Sequence, residues 1–467
     1  MIRTLFVLSI LVPGLLASFA SGYWALMMYL WLALFRPQEW LSFDITSLRL
    51  SLLFGVLMLV RSAVSGILPN VTNPLTLGMI LLVGSSVVTQ LTAVQPDLGW
   101  VWIDFLFRLV LCCTLLVALS TSARRLYGIL AVIALSFGFH AGKAGLAFLL
   151  SEGTTRFNLG LAGAFIDNNG YALAAVMIIP LLLVTAQNVG LVYSGRWLPW
   201  IRLSVYAALP LCAFTVIGTY SRGGFLALSA SVLTFILLQR RRFTALGGLA
   251  VVVALALLVL PIPQRYVDRL DTIRTYEQVD TDDVEGARES AQSRPHFWRV
   301  GMAMVEDHPL GIGLKQYEAA YDRFDFSFGR YGHGRAVHNS HVQVLAELGW
   351  FGAFVWIGLF IYAYFACLRV RARSRNDRLA PEAQRFLMTL ANGLLTSMTG
   401  FVIGGAFLSL AYNDLTWLTF GLVAALDRVS ADLCAAPAAA VVGREVHAPA
   451  AFQPIPSFAT TSRMGPR

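Results

Sequence analysis

The sequence predicts an all-α polytopic membrane protein of about 12 transmembrane helices, with one large external loop that contains short helices of its own. Of 467 residues, 57% are hydrophobic and only 13% are charged, more apolar surface than a soluble chain of this size can hide. Apolar runs of bilayer-spanning length, about 17–25 residues, recur along the chain. The spacing of the arginines then orients these runs.

Candidate spans are residues 4–20, 22–35, 48–64, 74–93, 101–119, 126–148, 170–188, 203–219, 223–239, 243–262, 346–367, 386–411 and 415–427. Lipid offers the backbone no hydrogen-bond partner, so each must be helical. Pro13-Gly14 and Ser21-Gly22 are read as breaking residues 4–35 into one bent or re-entrant crossing, which leaves twelve spans with both chain ends inside. The first span is not read as a cleaved signal, since no small-residue cleavage site precedes a soluble domain. No internal repeat is visible. The chain divides into N-terminal membrane helices (1–262), a loop mini-domain (263–345), C-terminal membrane helices (346–427) and an Ala-, Pro- and Ser-rich tail (428–467) expected to be disordered.

A net charge of +9 would suggest nucleic acid in a soluble protein. In a membrane protein basic loops set orientation instead, so no nucleic-acid partner is expected. Arginine outnumbers lysine 33 to 2, so arginine abundance says nothing and arginine position must carry the argument. Arg124–Arg125, Arg196 with Arg202, Arg240–Arg242, and Arg369 to Arg378 fall on alternate sides of intervening spans. The positive-inside rule makes all four groups cytoplasmic. Residues 149–169, the tight link around Tyr220–Gly224 and the long link 263–345 are then external.

That long link holds thirteen of the 26 acidic residues and ten of the 35 basic ones, so it is solvated. Residues 293–313 read as a helix, with Pro295 in its first turn and Phe297, Val300, Met304 and Val305 on an apolar face. Gly311-Ile312-Gly313 is read as its stop. Links longer than about 15 residues are uncommon unless functional or disordered, and the aromatic and helical content of this one favours function.

Several chemistries lack their residues. No GxxxxGK[ST] loop, HExxH helix or Asp-x-Asp metal–nucleotide-sugar pair is present, and Asp280, Asp282 and Asp283 lack a glycine turn. ATP-driven and nucleotide-sugar reactions are disfavoured. The five cysteines have no metal-ligand spacing, so neither a zinc site nor a disulfide framework is expected. No cofactor is implied.

The polar residues gather at the external boundary. Asn339 caps a helix starting at Ser340, which puts His338 just outside a helix N-terminus. The positive dipole end disfavours imidazolium and keeps the ring neutral, as a general base requires. An inert interfacial histidine has the same spacing, and spacing alone leaves both readings open. Glu347, nine residues on, falls on roughly the opposite helical face and is read as a cap or packing group. Arg222 lies between two spans, followed by two glycines that permit close backbone approach, and a guanidinium at that depth wants an anion. A snorkelling arginine is the alternative. Arg294 opens the loop helix. Asp104 and Arg108, one turn apart, are read as a structural pair. Lys143 lies toward the external end of its span and either joins the anion site or snorkels.

These pieces resemble the O-antigen ligase superfamily over roughly residues 150–425. The matching motifs are Tyr220-Ser221-Arg222-Gly223-Gly224, Arg294 followed by Trp298, His308-Pro309-Leu310-Gly311-Ile312-Gly313, and His338-Asn339 through Glu347-Leu348-Gly349. The stretch LWLALFRPQEW (30–40) is similar to a subgroup of O-glycosylation ligases associated with exopolysaccharide clusters. The resemblance implies a bacterial inner-membrane enzyme with a periplasmic loop and active site. It also implies a glycan donor on undecaprenyl pyrophosphate, a hydroxyl acceptor (lipid A core, protein or glycan), and no metal ion. By motif, His338 becomes the catalytic base and Arg222 and Arg294 the pyrophosphate ligands. Asn339 and Lys143 are grouped with them as substrate-binding. A polymerase of the same superfamily shares these motifs. A flippase or other transporter fits less well, because repeats and paired broken helices are missing.

Overall fold

The structure is a computed structural model. It describes residues 2–41, 45–153, 157, 161, 165–244, 246–248 and 282–435, with residues 282–292 described at the backbone only. Most of the candidate span 243–262, and the tail beyond residue 435, lie outside the described residues.

The longer helices are α1 Ile2–Ala20, α2 Gly22–Phe35, α3 Leu50–Val64, α4 Pro74–Thr89, α5 Pro96–Leu119, α6 Ala123–Leu150, α7 Asn168–Asn188, α8 Leu198–Gly218, α9 Arg222–Leu238, α10 Asp282–Asp307, α11 Tyr317–Phe324, α12 Ser340–Arg373, α13 Pro381–Gly405 and α14 Asp414–Ala435. No strand occurs among the described residues. Among them, nine helices are long and apolar enough to cross a membrane, and α2 and α9 are apolar but shorter. The chain is an all-α polytopic membrane protein.

Its two ends differ in chemistry. At one end Tyr23 donates to the Arg125 carbonyl (3.0 Å), Arg124 to that of Leu191 (2.8 Å), Arg371 to that of Leu238 (3.4 Å) and Arg428 to that of Val117 (3.0 Å). Arg373 pairs with Asp427 at 2.7 Å beside them. The arginine groups that orient the sequence thus collect at one basic end. At the other end the Asn168 amide donates to the Thr219 carbonyl (2.9 Å), Thr92 to Gly311 (2.7 Å) and Gln316 to Gln95 (3.0 Å). Residues of the three segments expected outside meet there.

The N-terminal region departs from expectation. Pro13 sits inside an unbroken α1, and only Ser21 interrupts the chain, its hydroxyl capping α2. Arg3 lies over the Trp40 ring (5.7 Å), whereas the Ala20 carbonyl accepts from Arg61 (3.1 Å) and Tyr23 reaches Arg125. Residues 2–35 therefore form an antiparallel hairpin rather than one bent crossing, and the N-terminus stands at the end opposite the arginines. A proline costs a membrane helix little where neighbours satisfy the freed carbonyl. A capping serine reverses the chain more effectively.

Helix α7 is central and buried on nearly every face. Helix α13 lies against α7 and α9 through Gly400 and Gly404, one turn apart. A Cβ on Gly404 would stand 3.0 Å from that of Ala227, so small residues set the helix spacing.

The loop has its own core of Phe297, Val300, Met304, Ile312, Tyr317, Tyr321, Val337 and Ala346. Its helix α10 begins at Asp282, earlier than the sequence suggested, so Pro295 is interior rather than in the first turn. It ends at Asp307, before the glycines, where Pro309 disfavours helical geometry for His308. The glycines do something else. Ile312 and Gly313 N–H groups donate to the Ala346 and Glu347 carbonyls (both 3.1 Å), and Trp350 N–H to Pro309 (3.1 Å). Helix α12 breaks at Gly349 (φ 66°) to allow this. Gly311 has φ +102°, and a Cβ on it would strike Glu347 and Gly349 backbone. The two glycine motifs interlock, backbone against backbone.

Candidate functional site

The site forms where α7, α9, α10, α12 and the segment after α13 converge. His338 occupies left-handed backbone (φ 49°), a conformation costing a non-glycine residue on the order of 1–3 kcal/mol and clustering at functional sites. It is held from both sides. Its N–H donates to Ser409 Oγ at 2.9 Å, and Asn339 Oδ1 caps α12 by accepting from His341 (2.9 Å) and Val342 (3.1 Å). Ser340 Oγ donates to the Leu408 carbonyl (2.6 Å) and accepts from Leu410 N–H (3.0 Å), tying the same two strips of chain together. The cap expected at Asn339 is present. Its carbonyl oxygen serves the helix and thereby aims its neighbour.

The His338 ring is half-buried, 6.2 Å from that of Phe297, and its nitrogens make no hydrogen bond among the described residues. Burial pushes its pKa below the ordinary histidine value, and the guanidiniums of Arg294 and Arg335 push the same way. The Asp167 carboxylate opposes them. The imidazole is therefore neutral at pH 7, with free nitrogens.

Arg294 projects from α10 over the Phe407 ring (5.7 Å), with a buried Nε that has no hydrogen-bond partner. Burial lowers its pKa, and Arg222 is the charge that lowers it further. Arg222 is the first residue of α9. Ser221 caps that helix by accepting from Gly224 N–H at 3.0 Å, while Tyr220 in left-handed backbone (φ 55°) turns the chain. Phe407 stands 3.1 Å from where a Gly223 Cβ would be, so glycine is what lets these elements close around the arginines. Two like charges thus act on each other, and one of them carries a buried donor without a partner.

The structure thus brings together His338, Arg294 and Arg222. Lys143 is exposed on α6 next to His140, whose Nε2 lies 2.7 Å from the Phe35 carbonyl, and is not among the charges acting on His338 or Arg294. Glu347 is buried and accepts from Lys315 N–H (2.9 Å), Tyr317 N–H (3.3 Å) and the Gln343 amide (3.4 Å), a structural cap as its helical phase suggested. Asp104 and Arg108 pair within α5.

Sequence reasoning missed Asp167, Arg335, Phe407 and Ser409. Asp167 does carry a legible signal, an aspartate whose carboxylate caps α7 through Asn169 and Gly170 N–H groups (2.8 and 2.9 Å). Nothing in the order of residues announces that Ser409, 71 positions on, anchors His338.

Residues 206–357 match the model of the O-antigen ligase family. This stretch is an O-antigen ligase domain. It holds Arg222, Arg294, His338 and Asn339, while the O-antigen ligase domain borrows Asp167 and Ser409 from outside its bounds. Over that stretch the match indicates an O-antigen ligase/polymerase-like membrane enzyme, and the apolar helices make the protein multi-pass. Substrates of this family are in general a lipid-linked glycan and an acceptor. No curated protein matches the chain.

Proposed function

We propose that this protein is an inner-membrane glycosyltransferase that moves a glycan from undecaprenyl pyrophosphate to an acceptor hydroxyl on the periplasmic face. The observation that carries the proposal is the neutral imidazole of His338 with unengaged nitrogens beside the Arg294–Arg222 pair. In this reading the acceptor O–H gives its proton to His338, and its oxygen forms the new bond to the anomeric carbon. The bond from that carbon to the pyrophosphate oxygen breaks, and undecaprenyl pyrophosphate leaves with the electron pair. Arg222 and Arg294 hold its phosphates, so charge stabilisation replaces a general acid and no metal ion is required. Positive charge on Arg294 also favours deprotonated His338, so one of the donor's ligands tunes the base. The basic end faces the cytoplasm by the positive-inside rule, which leaves the site periplasmic.

The experiment is an acceptor trial. Purified protein in nanodiscs receives labelled undecaprenyl-pyrophosphate glycan, then lipid A core, a serine-bearing protein, or a second lipid-linked glycan. Transfer to either of the first two makes it a ligase, and transfer to the third a polymerase. Movement of intact donor across the bilayer without transfer to any acceptor would overturn the proposal in favour of transport.

A further inference from the structure

Residues 325–335 form a finger with an aromatic ring at its tip. Phe328 stands there 96% exposed in left-handed backbone (φ 53°), so the chain carries both local strain and an unburied ring. The finger is firmly built. The Asp325 side chain is 4% exposed and accepts hydrogen bonds on both oxygens. Oδ1 accepts from Ser327 N–H (2.9 Å), Ser327 Oγ (2.7 Å) and His296 Nε2 (2.7 Å), and Oδ2 from Gly329 N–H (2.8 Å). A buried carboxylate thus grips the residues before and after Phe328 and fixes the backbone that presents it.

The finger is continuous with the surroundings of His338. The Tyr331 ring lies 6.2 Å from that of Phe297, and Phe297 lies 6.2 Å from His338. Arg335, also over Phe297 (5.8 Å), is one of the charges acting on His338. Two more guanidiniums lie over rings of the finger, Arg299 over Phe326 (5.4 Å) and Arg330 over Tyr331 (5.5 Å). All three arginines are exposed, and none has an ion-pair partner among the described residues. The nearby acids are engaged elsewhere, Asp322 with His333 (3.3 Å) and Asp307 with Arg323 (4.0 Å). From His338 outward the surface therefore alternates aromatic rings with uncompensated positive charge.

That alternation narrows the ligand. A sugar ring offers C–H groups to an aromatic face, and hydroxyls or an acidic group at its edge to a guanidinium. One exposed ring between Ser327 and Gly329 is too small an apolar area to hold a protein partner. It suits lipid poorly too, because the finger packs on His296 and Phe297, the turn of α10 that meets His338. Three arginines without carboxylates favour an anionic chain over a neutral one.

We propose that the finger holds an anionic glycan, the acceptor, with Phe328 and Phe326 against its sugar rings and Arg299, Arg330 and Arg335 on its acidic groups. The inference rests on the transferase reading, in which His338 meets the acceptor while Arg222 and Arg294 meet the donor. It narrows the acceptor to a carbohydrate that carries carboxylate or phosphate.

The test uses full-length protein in nanodiscs. Thermophoresis measures binding of a galacturonate hexamer, a phosphorylated mannose pentamer and neutral maltohexaose. Titration with labelled undecaprenyl-pyrophosphate glycan measures donor affinity, and thermal unfolding measures stability. At least one acidic oligosaccharide should bind about tenfold more tightly than maltohexaose, and which one does so identifies the acidic group. Arg299→Gln combined with Arg330→Gln should remove the preference. Phe328→Gly should weaken binding roughly three- to tenfold, the loss of one aromatic contact. Its unfolding temperature should hold or rise, because glycine adopts left-handed backbone without strain. A purely structural Phe328 would show the opposite, a lower unfolding temperature with binding intact. Donor affinity should stay near wild type in these variants. Arg222→Ala should lose donor and keep the oligosaccharide, so failure of the donor reading and failure of this one are separable. A spin label on Phe328→Cys, in a Cys434→Ser background, should be relaxed by a water-soluble nickel chelate more than by oxygen. Stronger relaxation by oxygen would put the finger in lipid and overturn the proposal. So would the absence of binding by either acidic chain, equal binding of the neutral one, or normal binding by the finger variants.

Discussion

Trp356 Nε1 donates a hydrogen bond to His341 Nδ1 at 3.1 Å. That fixes the proton of this imidazole on Nε2, which lies 3.1 Å from the Val402 carbonyl and donates to it. Both nitrogens of His341 are thus engaged within the helix bundle, three residues from a histidine whose nitrogens are not. The two rings have opposite expected phenotypes. His338→Ala should lower turnover by about 10²–10⁴-fold with donor affinity nearly unchanged, because proton transfer matters only in the transition state. His341→Ala leaves the buried indole of Trp356 unsatisfied, at a cost of about 1–3 kcal/mol in stability, while turnover per folded molecule stays near normal. Thermal unfolding and single-turnover kinetics together separate the pair. Normal turnover in folded His338→Ala would remove the base.

Arg222→Ala and Arg294→Ala should weaken donor binding as well as turnover, since a grip on pyrophosphate acts in both ground and transition states. Arg222→Lys should restore binding only in part, because a point charge cannot reproduce a planar fork. Titration with labelled lipid-linked glycan measures both effects. Equal rescue by lysine would mean that charge alone is required.

The pH profile carries a sign. A base must be neutral, and the His338 pKa lies below the ordinary value of about 6.5, so kcat/KM should be flat through pH 7 and fall only in more acid solution. Arg294 and Arg335 lower that pKa, so Arg335→Gln should move the acid limb upward without loss of donor affinity, and Arg294→Gln should move it upward with such loss. Asp167 raises it, so Asp167→Asn, which can still cap α7, should move the limb downward. A limb indifferent to all three variants would show that another group is titrating.

Gly311→Ala should cost roughly 3 kcal/mol or more, from left-handed strain plus collision with the Glu347 and Gly349 backbone. Gly66→Ala makes a clean comparison, since Gly66 is also left-handed (φ +69°) but has no atom within 4 Å of the added carbon. It should cost about 1–2 kcal/mol. Thermal unfolding in nanodiscs reads the difference, and equal costs would mean that the interlock contributes little.

Topology is open to labelling. Alkaline phosphatase fused after Gly313 should be active and after Arg375 inactive, and Arg3→Cys should react with an impermeant maleimide from the periplasmic side, because Arg3 lies at the end opposite the arginine groups. Protection of Arg3→Cys would restore a single bent crossing for residues 4–35.

The sequence made the helical bundle legible because membrane helices announce themselves locally, by length and by the absence of charge. The cap at Asn339, the helical phase of Glu347 and the alternation of arginines were readable for the same reason: each depends on neighbours within a few positions or on parity alone. The N-terminal hairpin was misread because proline in a membrane helix looks like a break but need not be one. Ser409, Phe407 and Asp167 could not be read as site residues, since their roles arise from contacts across 71 to 171 positions of chain. The glycine motifs were visible, but their function was not, because only the fold shows that each leaves room for the other.

Helix α7, whose first turn is capped by Asp167 beside His338, is also the helix most enclosed by its neighbours, whereas α1 at the periphery is mostly open. A change in bilayer thickness or fluidity acts on the outer ring of helices first. The helix that sets the Asp167 charge against the histidine is the pillar such changes reach last. Bilayer composition should accordingly govern how often a lipid-linked substrate arrives and departs, leaving the charge that Asp167 sets beside the histidine almost constant.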